Sequence, residues 1–175
     1  MVVATPENET LQLVADVDLL TAIRHAAADA LGMCGLPCRC VSVSCVPSRE
    51  AGNITGLLGV HGKVSGFATI NLAERFAIKA IEGLLGDRFD KLTSQVVDGV
   101  GELANIIAGG IKSGLSGTQW AFTNITVPSV IIGSGYHIAY APGLKFVCVT
   151  FEHKDTEAIV LDDRLMHVSV SLLKL

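Results

Sequence analysis

Thr93–Gly114 reads TSQVVDGVGELANIIAGGIKSG. On a helix of 3.6 residues per turn, Val100, Leu103, Ala104, Ile107 and Ile111 collect on one side. Asp98, Glu102, Asn105 and Gly109 stack along the opposite stripe, because positions three and four apart share a face. The spacing predicts an amphipathic helix over 93–114 with its apolar face against a sheet. The outward stripe departs from an ordinary solvated face, which carries Lys, Glu and Gln. Here Gly101 and Gly109 flank Asn105. Glycine costs about 1 kcal/mol relative to alanine in a helix interior, and asparagine is also a poor helix former. Two readings follow. Either another molecule's backbone must approach closely there, or the packed face alone holds the helix and the surface glycines have no consequence.

Working outward, strand-like segments follow near 119–127, 130–139, 145–153 and 165–174, with Pro142-Gly143 as a turn. Upstream, residues 73–85 form a second helix closed by Gly86. Before it lie strands at 39–46, 53–61 and 64–71, the last two a hairpin through His61-Gly62-Lys63. A first helix covers 16–31, with Asp16 as N-cap and Gly32 as stop. Val46-Pro47-Ser48 and Val127-Pro128-Ser129 are the same tripeptide, and each follows a helix and a strand. The order helix, strand, VPS, strand, strand therefore occurs twice, which points to a duplicated half-domain. The expected organisation is a flexible lead over 1–12 and a single α/β (α+β) domain over 13–175. Its halves span about 16–71 and 93–153, are linked by helix 73–85, and share one mixed sheet with helices packed on it.

Composition excludes several classes. Half the residues are hydrophobic and 17% are charged, enough apolar material for a core and too little charge for disorder. A net charge of −4 without a basic run leaves nucleic acid little to bind by counterion release. The N-terminal decapeptide has no basic or apolar leader pattern, and no apolar run reaches membrane-spanning length, so a cytoplasmic protein is expected. The cysteines are 34, 38, 40, 45 and 148. Their odd number and the absence of a C-x-x-C pair favour small buried thiols over a disulfide or a zinc site. Gly99-Val-Gly101-Glu-Leu-Ala104 formally matches a dinucleotide fingerprint. It opens no strand-to-helix turn, however, and no acid stands between Glu102 and Glu152. His25, His61, His137, His153 and His167 are scattered; only His153 and His167 could meet, on adjacent strands, and no metal is expected.

The pattern D/S-x-x-x-E-x-x-N, followed a little over twenty residues later by Pro, resembles the CheC/CheX/FliY response-regulator phosphatases. Asp98, Glu102, Asn105 and Pro128 supply it here, and Pro128 opens a similar Pro-Ser-Val-Ile-Ile-Gly-Ser-Gly segment. If Pro47 corresponds to Pro128, Thr21 stands where Glu102 does and Arg24 where Asn105 does. Neither can do the same work, so the chain resembles the single-site CheX type.

The resemblance implies hydrolysis of the aspartyl phosphate of a CheY-like receiver domain. Glu102 and Asn105 would be the catalytic pair: Asn105 positions the attacking water and Glu102 docks the receiver lysine. Asp98, Gly101 and Gly109 would face the partner, although Asp98 could equally serve only the helix surface, and Pro128 would be structural. Mg²⁺ is expected from the receiver, with no cofactor bound by this chain. The alternative is a non-catalytic adaptor that binds a receiver or a flagellar-switch protein. The alternating last segment, Met166–Leu175, suggests an exposed sheet edge and through it a homodimer.

Overall fold

The computed structural model describes residues 16–47, 52–136, 138, 140 and 143–174. The expected lead over 1–12, His137 and Pro142 lie outside the described residues. Among the described residues three α-helices are seen, α1 (Val17–Met33), α2 (Glu74–Leu85) and α3 (Ser94–Gly114), with a 3-10 turn at Asp162–Arg164. The strands are β1 (Cys38–Ser44), β2 (Ile54–Gly62), β3 (Val64–Leu72), β4 (Phe122–Ile125), β5 (Ser129–Ile132), β6 (Lys145–His153) and β7 (Leu165–Lys174). They form one sheet in the order β1-β6-β7-β3-β2-β4, with β5 also paired to β2.

Every described pairing is antiparallel, where a mixed sheet is expected. The reason lies in the connections: β2 and β3 are joined by a tight turn, and no helix bridges two neighbouring parallel strands. The order reads alike from both ends. β1, which follows α1, pairs with β6, and β4, which follows α3, pairs with β2. The last strand, β7, lies inside the sheet between β3 and β6 rather than at an edge, so the expected dimer argument from an exposed final strand does not hold.

Alternation sorts the two faces of the sheet. Leu58, Val60, Ala68, Ile70, Val147, Val149, Val168 and Val170 are buried on the helix side. On the other face Thr55, Asn71, His167 and Thr150 stand in register on four neighbouring strands. They are linked by hydrogen bonds from Asn71 Nδ2 to Thr55 Oγ1 (2.8 Å) and between Thr150 Oγ1 and His167 Nδ1 (3.0 Å). His167 thus meets Thr150. His153 stands opposite Cys38, with its ring edge-on to Phe76, so the two histidines do not pair. Two residues between β5 and β6 lie on this polar face: the Tyr136 hydroxyl hydrogen-bonds to Thr55, and the Tyr140 ring packs on Phe146.

Glycines set the helix spacing. A Cβ at Gly110 would lie 2.7 Å from Ala26 Cβ, so α1 and α3 meet closely there. At Gly99 a Cβ would lie 2.6 Å from Ile81, which brings α2 equally close to α3. Asp16 caps α1 by accepting from the N–H groups of Asp18 and Leu19, and its other oxygen accepts from the Trp120 indole at 2.7 Å. The expected stop at Gly32 moves: α1 runs to Met33, and Gly35, at φ 65°, turns the chain instead. The strand expected over 130–139 ends at Ile132 because Gly133 and Gly135 take positive φ and lead the chain off β2.

Of the cysteines, Cys34 and Cys148 are buried as expected. Cys40 is exposed and Cys38 half-buried, because β1 is an edge strand with only one neighbour, and Cys45, just past its end, is half-buried. A bulge between Cys40 and Ser42 further breaks the inside-outside alternation of β1.

Candidate functional site on helix α3

The inner face of α3 is buried at Val96, Val100, Leu103, Ala104, Ile107 and Ile111. That packing leaves the outward stripe of Asp98, Glu102 and Asn105 exposed, with Gly109 half-buried at its end. Thr93 caps the helix by accepting from the Val96 N–H. Glu102 and Asn105 are one turn apart, where Cβ atoms lie about 5–6 Å from each other. Neither of them, nor Asp98, has a hydrogen-bond or ion-pair partner among the described residues. A carboxylate and an amide thus stand side by side in solvent, unoccupied by the fold and free to engage a second molecule.

Pro128 is set beside this stripe by a break in the sheet edge. After β4, the Thr126 N–H donates to the Gly59 carbonyl at 2.9 Å, and Thr126 Oγ1 accepts from the Gly59 N–H at 2.9 Å. The chain then bulges, and pairing resumes at Ser129 opposite Leu57. Val127 is thrown outward and is 85% exposed. Pro128 is turned inward, with its Cγ 3.6 Å from where a Gly101 Cβ would stand. The proline is therefore a clamp on the first half of α3.

This arrangement corrects one expectation. Gly101, expected on the outward face, is buried beneath Pro128 and Val130. Gly109 does face open space: a Cβ there would meet nothing within 4 Å.

On the other flank, α2 and α3 enclose a shallow hollow of ≈ 310 Å³ lined by Leu85, Gln95, Asp98, Gly99 and Glu102. Leu85 and Val127 are exposed apolar side chains on opposite sides of the stripe. Sequence reasoning passed over both. The available signals were a leucine just before the helix-closing Gly86 and a valine just before a proline.

At the start of α2, Arg75 Nε at 2.8 Å and Lys79 Nζ at 2.7 Å hold Asp155, which follows β6 and is almost fully buried. Hydrogen bonds from Arg75 first, then Lys79, hold its carboxyl well below the usual carboxylate range. This cluster ties the segment after β6 to α2. On α1, Thr21 and Arg24 are exposed, and no Glu and Asn pair stands at the corresponding positions.

Comparison with known proteins follows the same lines. Solved structures with this fold include the chemotaxis protein CheX from Vibrio vulnificus, with a TM-score of 0.76, 21% identity and coverage of 89% of this chain and 99% of that one. A CheC-like superfamily protein from Shewanella sp. PV-4 gives 0.75 and 21%, covering 91% of this chain and 99% of that one. A chain of the CheX–CheY–BeF3–Mg²⁺ complex from Borrelia burgdorferi gives 0.68 and 21%, covering 90% and 99%. A search of curated proteins finds no match. No helix among the described residues is long and apolar enough to cross a membrane. The sequence model of the family described as chemotaxis phosphatase CheX matches residues 54–152, more than half of the chain and inclusive of α3 and Pro128, and the chain belongs to that family.

Proposed function

We propose that this chain hydrolyses the aspartyl phosphate of a CheY-like receiver domain, with Glu102 and Asn105 as its catalytic pair. The observation that carries the reading is the unpartnered Glu102 and Asn105 on one exposed turn of α3, in a chain of the chemotaxis phosphatase CheX family. The Borrelia relative, solved with CheY, BeF3 and Mg²⁺, supports a receiver as the substrate.

Hydrolysis needs a water in line with the departing aspartyl oxygen, while charge spreads over the three equatorial oxygens of the phosphoryl group. The Asn105 amide has an acceptor and donors, so it can hold that water in line without being a strong base. Glu102, one turn away, fixes the register by pairing with the receiver lysine. The Mg²⁺ belongs to the receiver and neutralises charge on the phosphoryl oxygens. The contribution of this chain is orientation, which can lower a barrier by several kcal/mol. A rigid helix suits that task, since Leu103, Ala104 and Ile107 lock the turn that carries both side chains.

The test is loss of radiolabel from a panel of phosphorylated receiver domains. Wild type is expected to accelerate loss from at least one receiver. Asn105→Ala should lower turnover by about 10²-fold or more, about 3 kcal/mol of barrier, while still binding. Binding without any accelerated loss by wild type would replace the enzyme reading with the adaptor reading. A cytoplasmic setting goes with this substrate. The proposal includes a homodimer, although the final strand, inside the sheet as β7, does not supply an exposed edge for it. Light scattering that gives only monomer at micromolar concentration would remove it.

A further inference from the structure

The hollow between α2 and α3 has a composition that stability does not explain. Leu85 is the last residue of α2 and is 49% exposed, although the end of a helix favours a basic residue and α2 has none in its last turn. Gly86, at φ 73°, closes the helix directly behind it, so the leucine is held at the rim rather than on a loose loop. Gly99 lets Ile81 approach α3 closely and leaves no side chain to fill the space between Leu85 and the stripe. Asp98 and Glu102, four residues apart on one helix face, repel each other and have no cation to offset it among the described residues. The result is a concave site with an apolar wall and two carboxylates at its edge, continuous with the stripe that carries Asn105.

A long basic side chain fits that combination, because its methylene stem covers apolar surface while its charged end stays near solvent and carboxylate. A purely apolar side chain would leave Asp98 without a partner once Glu102 pairs with the receiver lysine, and an acidic one would be repelled. We infer that the hollow seats a lysine or arginine side chain from the surface of the receiver domain, distinct from the lysine paired with Glu102. Its stem lies on Leu85 and its cation at Asp98, so these two residues discriminate among receivers. The inference rests on the receiver reading of the α3 stripe. It adds what the stripe alone lacks, a contact outside the chemistry that differs from one receiver to another.

The experiment measures Kd for a beryllofluoride-activated receiver and, with the same receiver phosphorylated, KM and kcat. Wild type, Leu85→Gln, Asp98→Asn and Asn105→Ala are compared. Both hollow variants replace exposed side chains, and an unchanged melting temperature verifies their fold. Leu85→Gln and Asp98→Asn should each raise Kd about five- to twentyfold, with the effect on KM rather than kcat. The Asp98→Asn loss should shrink as salt is raised, since it is a screened charge contact. Asp98→Lys should recover binding to a receiver whose facing lysine or arginine has been changed to glutamate. Asn105→Ala should show the opposite split, with kcat lost and Kd kept. If wild type binds and hydrolyses a receiver but both hollow variants match it within twofold, the hollow is not a contact and the inference fails while the phosphatase reading stands. If wild type binds but does not hydrolyse, the phosphatase reading fails and the Kd series still decides the hollow. If wild type binds no receiver, both fail.

Discussion

Gly109 and Gly110 are neighbours on one helix, and the same substitution should act on them with opposite sign. At Gly109 a Cβ would meet nothing within 4 Å, and the residue lies well inside α3. Gly109→Ala therefore gains the helix-propensity difference of about 1 kcal/mol without a steric cost. For a chain of this size that raises Tm by about 2–4 °C. At Gly110 the new Cβ would lie 2.7 Å from Ala26 Cβ and 3.2 Å from its Cα, both fixed parts of α1. Carbon pairs sit at about 3.5–4.0 Å, so the helices must separate by a good fraction of an ångström. Overpacking of this kind costs about 1–3 kcal/mol. Less the propensity gain, Gly110→Ala should destabilise by about 1 kcal/mol and lower Tm by a few degrees. Thermal and urea melts of the two variants beside wild type measure both. If the variants shift the same way, the close α1–α3 approach is wrong. The same Gly109→Ala protein also separates the two readings of the outward stripe. Loss of receiver binding in a protein that has become more stable would show that the bare backbone at Gly109 is a docking surface. Unchanged binding would leave it a surface glycine without consequence.

Three further outcomes are expected. Asp155→Asn should lower Tm at neutral pH by removing the carboxylate that Arg75 and Lys79 share. Since the folded carboxyl titrates below its unfolded value of about 3.9, its stabilisation is complete above that pH and fades as pH falls below it. Melts between pH 2 and 7 should thus fall more steeply below pH 4 for wild type than for the variant. At pH 8 a thiol reagent should label the exposed Cys40 in the native protein well before Cys34 or Cys38. Burial pushes those two thiols up to about 11 and about 12 and keeps them protonated, and mass mapping after brief labelling identifies the sites. Asp16→Ala removes the α1 cap and the partner of the Trp120 indole together, about 2 kcal/mol. Tm should fall by about 4–8 °C, with a change in the emission of the single tryptophan.

The fold was legible where one periodicity dominates. The boundaries expected for β6 and β7 match those observed because 146–151 is a nearly continuous apolar run and Met166–Leu172 alternates apolar with polar residues. Alternation does not tell an inner strand from an edge strand, however: β7 pairs on one side with β6, the strand before it, and on the other with β3, about a hundred residues back, which its own sequence does not reveal. The same limit applies to Gly101. It lies roughly 70° from the centre of the outward stripe at 100° per residue, a flank position whose exposure depends on what stands next to it. What stands there is Pro128, brought in by a bulge that only the pairing of Thr126 with Gly59 reveals. The VPS tripeptide at 127–129 is the device that turns Val127 out and Pro128 in, which its sequence does not reveal. The sheet order, alike from both ends, is what a duplicated half-domain would give. We propose that the second half extends through β7 rather than ending at 153.

The division of labour within α3 explains why its outward face can be so poorly suited to stability. Nine of its residues are buried, among them Val100, Leu103, Ile107 and Ile111, and Pro128 holds its first half from the side. Tertiary packing of that kind, rather than propensity, supplies most of the stability of a helix in a protein. The outward positions are then free of any structural duty. A repelling Asp98–Glu102 pair costs only a few tenths of a kcal/mol, and Asn105 and Gly109 together cost about 1–2 kcal/mol relative to alanine. Glu102 and Asn105 need no movement of the chain to become available, since nothing among the described residues holds them. It follows that alanine substitutions at Asp98, Glu102 and Asn105 should leave the melting temperature unchanged or raised while their effects on the receiver differ: docking for Asp98 and Glu102, turnover for Asn105. A drop in stability at any of the three would mean that the stripe has a structural partner, and the separation of fold from function along this helix would be wrong.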